Sequence, residues 1–115
     1  MSQENEAVRD IAEVAAVEVI TTAAVHLMSA AAVKVGLAPD TEDVKGTELM
    51  DLDEARKLIT ALAALVTGSA PDLGNQHARS LRDGLRSLQL AFREASPFPD
   101  APGEGPGEKF TGSVV

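Results

Sequence analysis

Cysteine, tryptophan and tyrosine are absent from this 115-residue chain, and its aromatic side chains are three phenylalanines. Without cysteine there is no disulfide, no thiolate nucleophile and no sulfur-ligated zinc, a usage that fits a reducing cytoplasm. With so few rings there is no platform on which bases would stack. Positive charge is scarce as well: Lys and Arg number 10 against 18 Asp and Glu, a formal net charge of −8. Phosphate contacts need a cationic surface, so this balance argues against DNA or RNA as the main partner.

Reactive constellations are missing too. His26 and His77 are the two histidines; neither has an acidic partner at the spacing of a helical zinc motif, and neither has a nucleophile nearby to activate. No glycine pattern matches a phosphate loop, and Gly68-Ser69 and Gly112-Ser113 lack the flanking glycines of a nucleophile elbow. Asp51, Asp53 and Glu54 cluster, but they suit the start of a helix better than a magnesium site, and Asp40, Glu42 and Asp43 read as solvated loop charges. The expectation is a protein that is not an enzyme, with no catalytic residue, no cofactor and no metal.

Long uninterrupted apolar runs are also lacking. Between Ile11 and Val35 the chain is apolar, but Glu13, Glu18, His26 and Lys34 break it, and each charge is costly in a bilayer. The start, Met1-Ser2-Gln3-Glu4-Asn5-Glu6, is polar and acidic, unlike a secretion signal. The expected location is therefore cytoplasmic, with no membrane partner.

What the chain does have is three helical stripes. Leu52, Ala55, Leu58, Ile59, Leu62, Leu65 and Val66 repeat at steps of three and four, and so do Ala78, Leu81, Leu85, Leu88 and Phe92. The spacing predicts an all-α, three-helix arrangement: a long Ala-rich helix over about Ala15 to Val35, with an earlier start near Glu6 as the alternative, laid across an αα-hairpin. Gly36 is placed to end the first helix, and an acidic linker follows over Leu37 to Met50. Asp51 is placed to cap the second helix, with Glu54 reaching back as in a capping box. Gly68 and the turn-like Ser69-Ala70-Pro71-Asp72 predict its end. The third helix is expected from Gln76 to Ala95, capped by Asn75 and stopped by Ser96-Pro97.

By domain, residues 1–13 form a polar arm, helical in that alternative, 14–95 a helical domain, and 96–115 a tail. Four of the six prolines and four of the nine glycines fall in the last twenty residues. That composition predicts a disordered tail, with Phe110 as an aromatic anchor for a partner.

Charge is uneven along the chain. Met1 to Glu54 is acidic, whereas Ala55 to Ser96 is basic, so the two halves are expected to attract, within a chain or between chains. Arg79, Arg82, Arg86 and Arg93 fall within about 60° of one another on a helical wheel, opposite the apolar stripe. Two uses suit such a face: a solvated surface, or a docking face for an acidic partner or RNA phosphates. Gly84, inside the third helix, shares a flank with Leu88, Ala91 and Ala95. That flank suits either close approach of a second backbone or simple tolerance.

The first helix carries more apolar surface than one contact uses. Val17, Ile20, Ala24, Leu27, Met28, Ala31 and Val35 share one side. Ala16, Ala23 and Ala30 recur every seven residues on an adjoining side, with Val19 beside them. The arc spans about 220°, where a single core contact takes roughly 100°. The ordered domain is small and marginal alone. The expectation is a homo-oligomer, most simply a dimer closed by the alanine side.

The run Val25-His26-Leu27-Met28, then Asp51-Leu52-Asp53-Glu54-Ala55-Arg56-Lys57-Leu58-Ile59, then Leu81-Arg82-Asp83-Gly84-Leu85-Arg86-Ser87-Leu88, resembles the bacterial family called domain of unknown function 1844, over roughly Val14 to Phe92. The segment Pro102 to Gly112 looks like its actinobacterial branch. The resemblance implies helix packing and no assigned activity, so it supplies no functional residue. It also implies a neighbourhood of translation genes for some members. The leading expectation is an interaction or scaffold protein acting as a homo-oligomer. The alternative is a translation- or ribosome-associated accessory protein, docking a ribosomal or protein partner through the Arg face.

Overall fold

The computed structural model of the chain describes residues 11–114; of the expected arm over residues 1–13, residues 1–10 lie outside them. Three long helices build the fold: α1 (Ala16–Lys34), α2 (Leu52–Leu73) and α3 (Asn75–Ala95). A 3-10 turn, Gly46–Leu49, interrupts the α1–α2 linker, and a four-residue helix, α4 (Glu108–Thr111), lies near the C-terminus. No strand occurs among the described residues, and the fold is all-α as expected.

Residues 11–13 are helical, but the chain breaks at Val14 and Ala15 before α1 begins. The far end of α1 closes on Gly36, whose φ is +89°. There the Gly36 N–H donates to Val33 and the Leu37 N–H to Ala32, which satisfies two of the orphaned carbonyls of the last turn. The linker is tighter than a string of solvated charges. The Asp40 carboxylate accepts the Gly46 N–H at 2.7 Å. Gly46 itself is buried against the Ala38 carbonyl, where a Cβ would collide.

Asp51 caps α2 as expected, its Oδ1 accepting the Glu54 N–H at 3.2 Å. The capping box is only half made: Glu54 turns outward to Lys57 Nζ, also at 3.2 Å. The expected end at Gly68 is corrected. The helix runs on through Ser69, Ala70 and Pro71 to Leu73. Continuing buries Ala70 and Leu73 against the core, which a turn at Gly68 would expose. Pro71 gives up one intrahelical hydrogen bond in the last turn, where its effect on the helix is local. Gly74, at φ +80°, then makes the corner. Asn75 becomes the first residue of α3, with no side-chain cap on that helix.

The core lies where the three stripes meet. Ile59, Leu62 and Val66 of α2 are its largest fully buried side chains. Leu81, Leu85, Leu88 and Phe92 of α3 pack on them, with Ala24, Ala31 and Val35 from α1. The α2–α3 pair is the expected hairpin, and α1 crosses both, resting more on α2.

The segment after Ser96 departs from the expected disorder. It folds back over α2 and α3 as a strap, braced internally by Glu108 and tied to the helices through Gln89 and Arg56. Glu108 is buried, and its Oε2 accepts the N–H groups of Gly103 at 3.2 Å and Val114 at 2.9 Å. Buried Gln89 of α3 donates from Nε2 to the Pro106 carbonyl and to Thr111 Oγ1, both at 3.1 Å. Asp100 pairs with Arg56. Glycine works here by permitting contact: Gly107, at φ +75°, lies so close to Ala63 that a Cβ would overlap it. A Pro/Gly-rich composition denies regular helix, but a buried carboxylate can gather the backbone donors that regular structure leaves unsatisfied.

Candidate interaction surfaces

Two surfaces carry the residues singled out from the sequence. The first is the outer side of α1. Ala24 and Ala31 are buried in the core. Around the rest of the helix Val19, Val25 and Val33 are 50%, 49% and 37% exposed. Ala16 and Ala23 are exposed and Ala30 half-buried, so the alanine side faces away from the core, as the wheel requires.

The alanine heptad is part of a longer row. Ala16, Val19, Ala23, His26, Ala30 and Val33 alternate in steps of three and four over the whole helix, and all but Ala30 are exposed. His26 and Val33 belong to this row. The signal that finds them is the same seven-residue repeat, continued by its intermediate positions. Ile20 and Leu27, half-buried, flank the row on the core side; Thr22 and Ser29, exposed, flank it on the other. By length and composition α1 is also apolar enough to cross a membrane, a test that core helices of soluble proteins pass too.

The second surface is the outer side of α3. Arg79, Arg82 and Arg86 are exposed, and Arg93 is half-buried. All five residues of the apolar stripe on the opposite side, Ala78 to Phe92, are buried. Arg82 and Arg86 line a hollow of about 380 Å³ together with Thr67, Asp83, Phe110, Thr111 and Ser113. Phe110 is 40% exposed at this hollow, with Lys109 Nζ 5.1 Å from its ring centroid. A second aromatic of the strap, Phe98, is 93% exposed.

Of the ion pairs, Arg56–Asp100 joins α2 to the strap, and Lys57–Glu54 is a local contact within α2. Gly84 meets α1 after all, through a side chain: the Met28 thioether end occupies the space a Cβ would fill.

Both histidines are exposed. His26 is exposed on α1. His77, exposed at the start of α3, borders a shallow hollow with Val17, Glu18, Thr21 and Thr22. Among the described residues no group of three or more His, Asp and Glu is arranged to hold a metal ion.

Among known families, the one described as Domain of unknown function (DUF1844) matches residues 16–94, which run from the start of α1 to the penultimate residue of α3. No curated protein matches, and no solved structure matches.

Proposed function

The chain belongs to this family, whose description assigns no activity, and we propose that it works by association, as a non-enzymatic helical interaction module that acts as a homodimer. The observation that carries the reading is the outer side of α1. Val19 and Val33 of its row are 50% and 37% exposed on a helix with only two buried residues. Exposed apolar side chains repeated along one helix side suit an association site. A domain this small also gains most from a second copy. Sedimentation of the full chain tests the proposal, with dimer mass supporting it and monomer mass refuting it.

A second reading rests on α3. Arg79, Arg82 and Arg86 present guanidinium groups along one exposed side, and two of them border the hollow beside the strap. This suits docking on an acidic protein or on ribosomal RNA phosphates. It is tested by salt-sensitive co-sedimentation with ribosomal particles, compared between the native chain and Arg82→Glu/Arg86→Glu. Both readings go with a cytoplasmic setting.

A further inference from the structure

The row Ala16, Val19, Ala23, His26, Ala30, Val33 has an internal symmetry that specifies how a second copy would lie on it. Alanine alternates with a larger side chain at every step. If two copies of α1 run antiparallel with the row as seam, residues whose numbers sum to 49 face each other. Ala16 then meets Val33 of the second copy, Val19 meets Ala30, and Ala23 meets His26. Every layer pairs one alanine with one larger residue, so the seam fills evenly and the helices approach closely. The parallel alternative stacks like on like. It sets Ala16, Ala23 and Ala30 against themselves, which leaves underfilled layers, and sets His26 against His26.

Charge favours the same orientation. The acid of α1, Glu18, is in its first turn, with Glu13 just before the helix, while its base, Lys34, is in the last turn. An antiparallel pair brings the acidic end of each helix to the basic end of the other. A parallel pair brings like charges together at both ends. The flanking side chains Thr22 and Ser29 are small and uncharged, so neither opposes a close approach. The seven-residue spacing matches the left-handed winding of two packed helices.

We infer that α1 is the seam of an antiparallel two-fold homodimer in which Ala23 of each copy packs on His26 of the other. The inference rests on the homodimer reading above and adds its occupant, orientation and register.

The chain has no cysteine, so single thiols report the geometry without background. Ala16→Cys and Val33→Cys both replace exposed side chains. On one helix these positions lie about 25 Å apart at 1.5 Å per residue, beyond the span of a short bismaleimide. Each full-length variant is treated with that reagent alone and in a one-to-one mixture. The antiparallel seam predicts a covalent dimer in the mixture and almost none from either variant alone. Self-linked Ala16→Cys dimers would establish the parallel pairing and overturn the inference. No covalent dimer in any sample, while the untreated native chain sediments as a dimer, would also overturn it by placing the interface elsewhere, leaving the homodimer reading intact. A native chain that sediments as a monomer refutes both. If that monomer floats with phosphatidylglycerol–phosphatidylcholine vesicles, lipid is the occupant of the face instead.

Discussion

Arg56 of α2 joins Asp100 of the strap across 44 residues of sequence, its Nη2 donating to both carboxylate oxygens at 3.1 and 2.9 Å. The same guanidinium lies 5.0 Å from the centroid of Phe92 on α3. One side chain thus touches both hairpin helices and the strap. The two side chains are 43% and 29% exposed, so water screens much of the attraction. Arg56→Ala is expected to cost no more than about 1 kcal/mol, read as a small drop in urea midpoint. Amides of residues 100–114 should exchange faster while those of α2 hold. An unchanged strap would show that Asp100 is held by other contacts.

Glu108 is the more demanding contact: its carboxylate is buried and braces the strap internally by serving two of its own backbone donors. Glu108→Ala leaves the Gly103 and Val114 N–H groups without that acceptor, at a cost of about 1–3 kcal/mol if they stay buried. The alternative for the chain is to release the strap into water. Either way the Val114 amide should lose its protection in hydrogen exchange, and far-ultraviolet dichroism should barely change, since α1 to α3 stay folded. Persistent protection at Val114 would contradict this assignment of the strap.

At the core, Ile59 and Leu62 are fully buried. Leu62→Ala is expected to destabilise by about 2–5 kcal/mol through lost burial and the cavity left behind. That is a large fraction of the stability of an ordinary small domain. A change below about 1 kcal/mol in urea unfolding would mean the hairpin does not pack as described.

Gly84 sets two effects against each other. Alanine there gains up to about 1 kcal/mol of helix propensity, but its Cβ must displace the Met28 thioether end. A methionine tip moves easily, so Gly84→Ala should fall within about 1 kcal/mol of the native chain. Gly84→Leu should be clearly destabilising, because α1 would have to lift from α3. Equal stability of the two variants would remove the α1–α3 contact from the account.

The helices and their inner faces were legible in the sequence because burial writes itself into three- and four-residue spacing. Leu81, Leu85, Leu88 and Phe92 announce their side whatever they pack against. The outer row of α1 was half legible: Ala16, Ala23 and Ala30 stand out, while polar His26 joins them only when its place in the same repeat is counted. The end of α2 was misplaced because Gly68 and Pro71 are local turn signals, and burial of Ala70 and Leu73 outweighs them. The strap was not legible. Its order depends on Glu108 and Gln89 reaching backbone groups that no spacing rule connects, and on Gly107 fitting against Ala63.

The central claim, that α1 closes a homodimer, is met most directly by sedimentation equilibrium of the full chain at tens of micromolar, with Val19→Glu run beside it. The account predicts that the native chain sediments at twice its 12.0 kDa mass. Val19 is exposed in the single chain and faces Ala30 of the second copy in the seam, so Val19→Glu leaves the fold intact but buries an unpaired charge at a cost of several kcal/mol of association, and that variant should sediment as a folded monomer. A monomeric native chain, or a Val19→Glu variant that dimerises as well as the native one, would contradict it.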